Sequence, residues 1–343
     1  MPNYTTANWV KSQLALNGAM AKQDTRFRSP EIWKLFLKNT EQFFPNHKEL
    51  KGRDDKVLEA NFFTRTSRGL GTGRSHNHAG SKGDSGVLQP TWVTRNDKFA
   101  TSIKQADTSV FSFQQELDNE LLNVVANFME GMDSVASTYL VNNRTGVNLA
   151  SVEGTFNATN DVYEINEASK GVYATQIAKT VMNINKYQNV RLTFVCDPIA
   201  FHRFEREAAQ GAQNATNYSF QFLGVDFVLD ISLTSKAASI LPAYATKGFF
   251  EVIPQNTIGA LTWIPKQNRN GYEDTEGMYS TILNPFDGQQ YAVHSYSERF
   301  DGTATNGFTQ DVKTEVEISL DVALEKAPLS VATETPIYAF ALV

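Results

Sequence analysis

The longest regular pattern of hydrophobic and polar positions runs from residue 112 to residue 141. Between Leu117 and Tyr139, apolar side chains recur every three or four positions, which is the spacing of one face of an α-helix. Ser112 and Gln115 have the types and spacing of a capping box, so the helix is predicted to begin there. At about 1.5 Å per residue it spans on the order of 45 Å. We call this element the spine helix.

A second long element is predicted near the C-terminus by strict alternation of apolar and polar residues. In residues 311–324, "DVKTEVEISLDVAL", the polar odd positions are Lys313, Glu315, Glu317, Ser319 and Asp321, and the apolar even positions are Val312, Val316, Ile318, Leu320, Val322 and Leu324. This period is typical of a β-strand with one buried face. At about 3.3 Å per residue the strand reaches about 43 Å, close to the spine helix in length. We therefore predict an elongated unit in which the spine helix covers a sheet.

The N-terminal residues predict an arm followed by a short helix. Residues 1–28 are polar and mixed, so they are expected to need another surface to pack on. In residues 29–44, "SPEIWKLFLKNTEQFF", Ser29 is the expected N-cap, Pro30 the expected first helical residue and Pro45 the end. One side of this helix is strongly apolar, so we expect it to be buried.

Between Lys51 and Asp107 the pattern predicts a β-hairpin with a long tip. Two strand-like segments flank residues 69–86, "GLGTGRSHNHAGSKGDSG". This tip lacks the Gly-Lys-Ser/Thr ending of a phosphate-binding loop, and His76 and His78 lack a third fixed metal ligand nearby. Arms with so few apolar residues cannot form a core, so we expect the hairpin to lie along another molecule.

Residues 147–265 alternate helix and strand signals, which predicts a compact α/β domain. Helical periods occur in "ATQIAKTVMNINKY" and "IAFHRFEREAAQ", and strand-like runs occur in "VRLTFVCDP", "FLGVDFVLDISL" and "KGFFEVIPQNTIGALTWIP".

The composition indicates no enzymatic chemistry. Cys196 is the single cysteine of the 343 residues and is expected to be buried and inert. None of the five histidines sits in a catalytic motif. We therefore predict no catalytic residue, no cofactor and no metal site. No apolar run reaches the roughly 20 residues of a membrane span, so no membrane association is expected.

Charge is distributed unevenly along the chain. Residues 51–107 carry ten Lys or Arg and six Asp or Glu, net +4, whereas residues 271–343 carry three and twelve, net −9. These regions are expected to attract each other within or between copies. The spine helix has no basic residue, and its polar positions carry Glu116, Asp118, Glu120, Glu130 and Asp133. Its polar face is therefore predicted to be acidic or neutral.

The order of these predicted elements resembles the major capsid proteins of tailed bacteriophages, which have the Hong Kong 97-like fold. The local sequences most similar to the axial domain of that family are "VRLTFVCDPIAFHRF", "YSFQFLGVDFVLDISL" and "FFEVIPQNTIGALTWIP". The resemblance covers nearly the whole chain in architecture and implies an α+β fold.

The resemblance implies four parts. They are an N-terminal arm and short helix (1–48), an extended loop formed by the long β-hairpin (49–107), a peripheral domain with the spine helix on long antiparallel strands (108–146 and 271–330), and an axial α/β domain (147–270 and 331–343). In the family the extended loop lies over a neighbouring subunit. Its basic residues Arg65, Arg68, Arg74 and Lys82 are then expected to contact acidic surface on the next copy.

The resemblance also implies a function, a major capsid protein that forms pentamers and hexamers of an icosahedral head around double-stranded DNA. The expected partners are further copies of the chain, a separate scaffolding protein and a portal, and decoration proteins are left open. The DNA is enclosed without sequence-specific binding, and the acidic spine face suits an inner wall that does not grip it. The expected location is the virion, after assembly in the host cytoplasm.

Two alternatives stay open on the sequence. An encapsulin-like cellular shell that encloses cargo shares the fold, and a carbohydrate-acting enzyme could also carry long strands and surface aromatics. A glycosidase needs two carboxylates at a set separation in a cleft, and the sequence nominates no such pair.

Overall fold

The computed structural model describes residues 6–22, 26–44, 46–50, 53–63, 70, 73, 85–102, 112–146, 154–166, 174–184, 187, 190–208, 219–222, 224–273, 277–302, 308–328 and 335–343. The helices are α1 (Thr6–Ala21), α2 (Glu31–Phe43), α3 (His47–Leu50), the spine helix α4 (Phe113–Asn142), α5 (Ala174–Ile184), α6 (Pro198–Ala208), α7 (Leu233–Ile240) and α8 (Lys266–Asn270). The strands are β1 (Ala60–Phe63), β2 (Ser85–Leu88), β3 (Val93–Ser102), β4 (Thr155–Asn157), β5 (Val162–Ile165), β6 (Leu192–Cys196), β7 (Ser219–Phe222), β8 (Val225–Leu229), β9 (Gly248–Pro254), β10 (Ile258–Trp263), β11 (Met278–Leu283), β12 (Gln290–Gly302), β13 (Phe308–Lys326) and β14 (Tyr338–Leu342).

A five-stranded sheet is built around β13. Its order is β10-β13-β12-β11, and β3 also pairs with the long strand β13, along residues 313–322. All its pairings are antiparallel. The apolar residues of β13 are buried in one core with the spine helix, which includes Val316, Ile318, Leu320 and Val322 from the strand and Leu121, Val125 and Phe128 from the helix. The structure therefore confirms the predicted β-strand and the prediction that the spine helix covers its apolar face.

A seven-stranded sheet forms the second layer, in the order β4-β5-β14-β9-β6-β8-β7. β6 runs parallel to β8 and β14 parallel to β5, and the other pairs are antiparallel. Helices α5 and α6 cover one face over an aromatic core, in which the ring centroids of Phe194, Phe204 and Phe250 lie 5.0 to 5.9 Å apart. The opposite face packs on α7 and the spine helix. The predicted α+β class is confirmed.

The spine helix begins where the sequence predicts. Ser112 Oγ accepts a hydrogen bond from the Gln115 N–H at 3.3 Å, and Gln115 Oε1 accepts one from the Ser112 N–H at 2.8 Å. The capping box is therefore confirmed. The helix then continues through Gly131 to Asn142 without interruption.

The start of α2 differs from the prediction, because its cap comes from another helix. Pro30 occupies the N-cap position without a side-chain cap, and the hydroxyl of Ser29 donates to the Glu31 carboxylate. Asp133 of the spine helix accepts hydrogen bonds from the N–H groups of Ile32 at 2.8 Å and of the following residue at 3.1 Å. The carboxylate thus satisfies two free N–H groups of the first turn. Asp133, which the sequence assigns to the polar face of the spine helix, therefore contacts α2.

The predicted arm contains a helix, α1. It buries Ser12 and Leu16 and packs against the spine helix. Val10 and Leu14 of the same helix are exposed, so apolar residues occur around its whole circumference. This distribution explains why no single apolar face predicted the helix.

Two predicted strands are divided in the structure. The second arm of the hairpin forms β2, which pairs with β1, and then β3, which joins the five-stranded sheet. The segment "FLGVDFVLDISL" contains β8, after which Asp230 accepts hydrogen bonds from the N–H groups of Ser232 at 2.8 Å and Leu233 at 3.2 Å to begin α7.

The chain passes from the seven-stranded to the five-stranded sheet between β9 and β10, whereas the predicted axial segment extends to residue 270. The domain boundaries stay a prediction.

Candidate functional site

Among the described residues, the β1–β2 ribbon is attached to the five-stranded sheet through a segment that we call the hairpin root (residues 53–59 and 89–92). Leu58 packs there on Leu261 and Ala323, which are cross-strand partners on the face of the five-stranded sheet that lies opposite the spine helix. The small core comprises Phe44, Leu58, Leu261 and Ala323, with the partly buried Phe43, Leu88, Trp92 and Trp263 at its edge. Burial of these side chains fixes the root on the sheet.

An ion pair between a half-exposed lysine and a buried carboxylate lies beside this small core. Lys56 Nζ is 2.6 Å from Asp321 Oδ2, and the Asp321 side chain is only 7% exposed. Thr94 donates its hydroxyl to Oδ1 of the same carboxylate. The Lys56 ammonium also lies 5.0 Å from the ring centroid of Trp263, within the range of a cation–π contact. Because a buried carboxylate is strongly destabilising without its partner, positions of the root that leave Asp321 unpaired are disfavoured.

The hairpin root is also held by Trp92, which lies within the root, and by Arg269 and Lys266 of α8. Trp92 Nε1 donates to the carbonyl of Lys56 at 3.0 Å, and the guanidinium of Arg269 donates to the carbonyl of Arg53. Lys266 Nζ forms an ion pair with Asp54 Oδ2 at 2.9 Å. Sequence analysis missed these anchors because each contact joins residues far apart in the sequence, so no local motif marks them. The root therefore forms a rigid base from which the hairpin can contact a partner.

The described residues contain no cluster typical of metal binding. No group of three or more His, Cys, Asp or Glu side chains there could hold a metal ion. His76 and His78 lie outside the described residues. Cys196 is buried, and burial raises the pKa of its thiol well above the usual value. Such a thiol is a poor nucleophile at neutral pH.

None of the helices in the described ranges is long and apolar enough to cross a membrane.

Two clefts flank β10, and neither has the carboxylate pair of a glycosidase. One, of about 270 Å³, is lined by Trp263, Arg269 and Gln289 among others and contains no carboxylate. The second, of about 330 Å³, includes a single carboxylate, that of Glu41. A glycosidase requires two such groups facing the same bond.

Comparison with known proteins gives structural matches. No protein-family model and no curated protein sequence matches the chain. A subunit of the cyanophage Pam1 capsid matches with a TM-score of 0.52 at 12% identity, over 86% of this chain and 87% of that chain. The chain has the Hong Kong 97-like capsid fold. A subunit of the cyanophage A-1(L) capsid has a TM-score of 0.47 at 11% identity, over 92% of this chain and 94% of that chain. A subunit of the Helicobacter pylori bacteriophage KHP40 head has a TM-score of 0.44 at 7% identity, over 83% of each chain.

The hairpin root lies at the base of the hairpin that the sequence analysis predicts to be an extended loop, and that assignment stays a prediction. The predicted contact residues Arg65, Arg68, Arg74 and Lys82 lie near the tip of the hairpin in sequence. All four fall outside the described residues. Their contact with a neighbouring copy stays a prediction.

The acidic surface expected to receive the extended loop is partly neutralised within the subunit. On the exposed face of β13, Glu317 pairs with Lys98 at 2.9 Å, and Glu315 pairs with Lys313. The hydrogen bond from Lys313 lowers the pKa of Glu315. Asp321 is also paired, at the hairpin root. The net charge of this region therefore overstates the negative charge that the face presents to another copy.

Proposed function

We propose that this protein is the major capsid protein of a tailed bacteriophage. It assembles with itself through pentamers and hexamers into an icosahedral head that encloses double-stranded DNA. The observation that carries the proposal is the match to the cyanophage Pam1 capsid subunit, which spans 86% of this chain and 87% of that chain. Since one fold can serve several functions, self-assembly is the property to test.

The hairpin root supports a role in contacts between copies. It holds the base of the extended loop through a small core and the Lys56–Asp321 pair, so a contact at the tip transmits force to the body of the subunit. The tip residues Arg65, Arg68, Arg74 and Lys82 contact acidic groups of a neighbouring copy. Each exposed ion pair contributes only about 0–1 kcal/mol, but every copy in a shell repeats the contact.

The remaining parts of the proposal follow from the same role. The partners are a separate scaffolding protein during assembly and a portal at one vertex, and the DNA is enclosed without sequence-specific binding. The protein is located in the virion after assembly in the host cytoplasm. It acts as a structural protein, without catalytic activity or cofactor.

Electron microscopy of the purified full chain tests the proposal. We expect closed icosahedral shells, or rings of five and six subunits, and contents that include nuclease-protected DNA when the particles come from infected cells. Shells that enclose a cargo protein instead of DNA would identify an encapsulin-like compartment. A small compact particle would contradict the proposal and favour an enzyme.

Light scattering during assembly tests the electrostatic contact of the extended loop. We expect native assembly to weaken as ionic strength rises, because exposed charges are screened over about 8–10 Å at 0.1–0.15 M salt. Replacing Arg65, Arg68, Arg74 and Lys82 by Glu should slow assembly most at low salt. The control variant replaces four exposed basic residues by Glu, which makes the same change in net charge. They are Lys11, Lys22, Lys38 and Arg206. Equal rates for the two variants would refute a specific contact.

A further inference from the structure

Three carboxyl groups lie where the spine helix packs on the seven-stranded sheet, and we call Asp133, Asp230 and Glu251 the carboxyl seam. Asp133 lies on the spine helix, Asp230 follows β8, and Glu251 lies in β9. Phe249 and Ile253, which share the sheet face of Glu251, belong to the core that contains the spine helix. Asp230 and Glu251 are 0% exposed.

The carboxyl seam is incompletely satisfied by hydrogen bonds. Asp133 accepts the two N–H groups of α2, and Asp230 Oδ1 accepts the Ser232 hydroxyl at 2.7 Å as well as two N–H groups of α7. Within the described part of the chain, neither carboxyl oxygen of Glu251 has a hydrogen-bond partner. A buried carboxylate without partners is so unfavourable that the group is expected to bind a proton.

Among the described residues, positive charge is scarce around the seam. Five other titratable groups interact electrostatically with the seam or with residues beside it. They are Glu31, Arg144, Asp161, Asp197 and Tyr244. Arg144 is the one cation of this set, and its guanidinium donates to the carbonyls of Asn160 at 2.9 Å and Val141 at 2.7 Å. A single cation cannot compensate the two fully buried negative charges of Asp230 and Glu251 together with the half-buried charge of Asp133.

We propose that the carboxyl seam holds at least one proton at neutral pH, and that loss of this proton at higher pH loosens the contact between the spine helix and the seven-stranded sheet. The effect belongs to the folded subunit and does not depend on shell assembly. Deprotonation adds negative charge on both sides of the contact, since Asp133 lies on the spine helix and Asp230 and Glu251 lie on the sheet side, so repulsion weakens it.

The expected protonation agrees with this arrangement. Burial raises the pKa of Glu251 well above its usual value, with a further rise from Asp230 and an opposing effect of Arg144. Burial also raises the pKa of Asp133 to about 7, and the charge of Asp230 adds to that rise. For Asp230 itself, burial is again the main cause of a raised pKa.

Unfolding of the full chain in urea between about pH 5 and pH 8 tests the proposal. Each carboxyl that is protonated in the folded chain and ionised in the unfolded chain lowers the folding equilibrium constant about tenfold per pH unit. We call the change of the logarithm of this constant with pH the slope. Because Glu251→Gln removes one such carboxyl, we expect it to reduce the slope by about one factor of ten per pH unit. Glu130→Gln, an exposed change on the same spine helix, should leave the slope unchanged. An unchanged slope in Glu251→Gln would overturn the proposal.

Infrared spectroscopy of the native chain provides a test that needs no variant to fold. We expect the C=O stretch of a protonated carboxylic acid at neutral pH, and its loss at alkaline pH. Hydrogen exchange should show that the amides of spine residues 133–142 open more readily over the same pH range. Absence of the acid band at neutral pH, or a band lost without any change in exchange, would contradict the inference.

Discussion

The side chain of Gln13 makes with Leu283 the two hydrogen bonds that a neighbouring β-strand would make. Gln13 Nε2 donates to the Leu283 carbonyl at 2.8 Å, and the Leu283 N–H donates to Gln13 Oε1 at 3.0 Å. The amide thereby caps the edge of β11 and attaches α1 to the five-stranded sheet. An unpaired edge is a template for unwanted pairing, so this contact also protects the sheet.

Removing this contact should weaken the attachment of α1. Gln13→Ala removes both hydrogen bonds, each worth about 0.5–1.5 kcal/mol net, so we expect a loss of about 1–2 kcal/mol. Exchange of the Leu283 amide proton, followed by NMR, should become faster. Lys11→Ala on the exposed side of α1 is the control and should change neither quantity. Unchanged Leu283 exchange in Gln13→Ala would contradict the capping role.

Asp133→Asn should change stability in a pH-dependent way. The folded pKa of Asp133 is about 7, against a usual value of 3.8. A carboxyl with a raised folded pKa stabilises the fold at low pH, and this stability is lost as pH rises from the unfolded toward the folded pKa. The amide keeps an acceptor oxygen for α2 but cannot ionise.

We therefore expect Asp133→Asn to gain stability relative to the native chain as pH rises from about 5 to about 8, by up to about 3 kcal/mol at about 1.36 kcal/mol per pKa unit. Urea unfolding at the two pH values measures this difference. A native advantage that grows with pH would show that Asp133 is instead stabilised as the carboxylate.

The assigned faces of the spine helix can be tested by two nearby substitutions. Phe128 is 6% exposed, and its ring centroid lies 4.9 Å from that of Tyr291. Phe128→Ala should therefore cost about 3–5 kcal/mol. Glu130→Ala on the exposed side should change stability by less than about 0.5 kcal/mol. Similar unfolding midpoints for the two variants would mean that the buried face is wrongly assigned.

The Lys56–Asp321 pair can be tested by a double-mutant cycle. Lys56→Met leaves the buried Asp321 carboxylate without its cation. We expect a loss of about 1–3 kcal/mol, less than for a fully buried pair because the Lys56 side chain is 36% exposed. Asp321→Asn in the Lys56→Met background removes the unpaired charge and should recover part of the loss. Additive effects of the two substitutions would show that the pair contributes no coupling.

Elements with a visible local period could be predicted from the sequence. The spine helix and β13 were both predicted because their apolar residues repeat at 3.6 or at 2 positions over many residues. The sequence also indicates where the second hairpin arm divides into two strands. Pro90 lies between β2 and β3, and proline has no backbone N–H to donate to a neighbouring strand. Gly224 between β7 and β8, with φ of 74°, marks a turn in the same way.

Contacts between distant segments could not be predicted. Gln13 and Leu283 are 270 residues apart, and Asp133 caps a residue 101 positions away. The hairpin root likewise depends on strand register, which places Asp321 beside Lys56 and Thr94. The same register pairs Glu317 with Lys98, so a count of charges by region overstated the acidic surface.

Deleting residues 69–86 tests most directly the claim that the chain is a shell subunit joined through its extended loop. Sedimentation velocity of the native chain and the deletion variant, side by side and with circular dichroism of each, measures assembly and folding together. We expect the native chain to form closed shells and the variant to remain folded, with native helix and strand content, as subunits or capsomers that do not close. A native chain that stays monomeric, or a folded variant that still closes shells, would contradict the account.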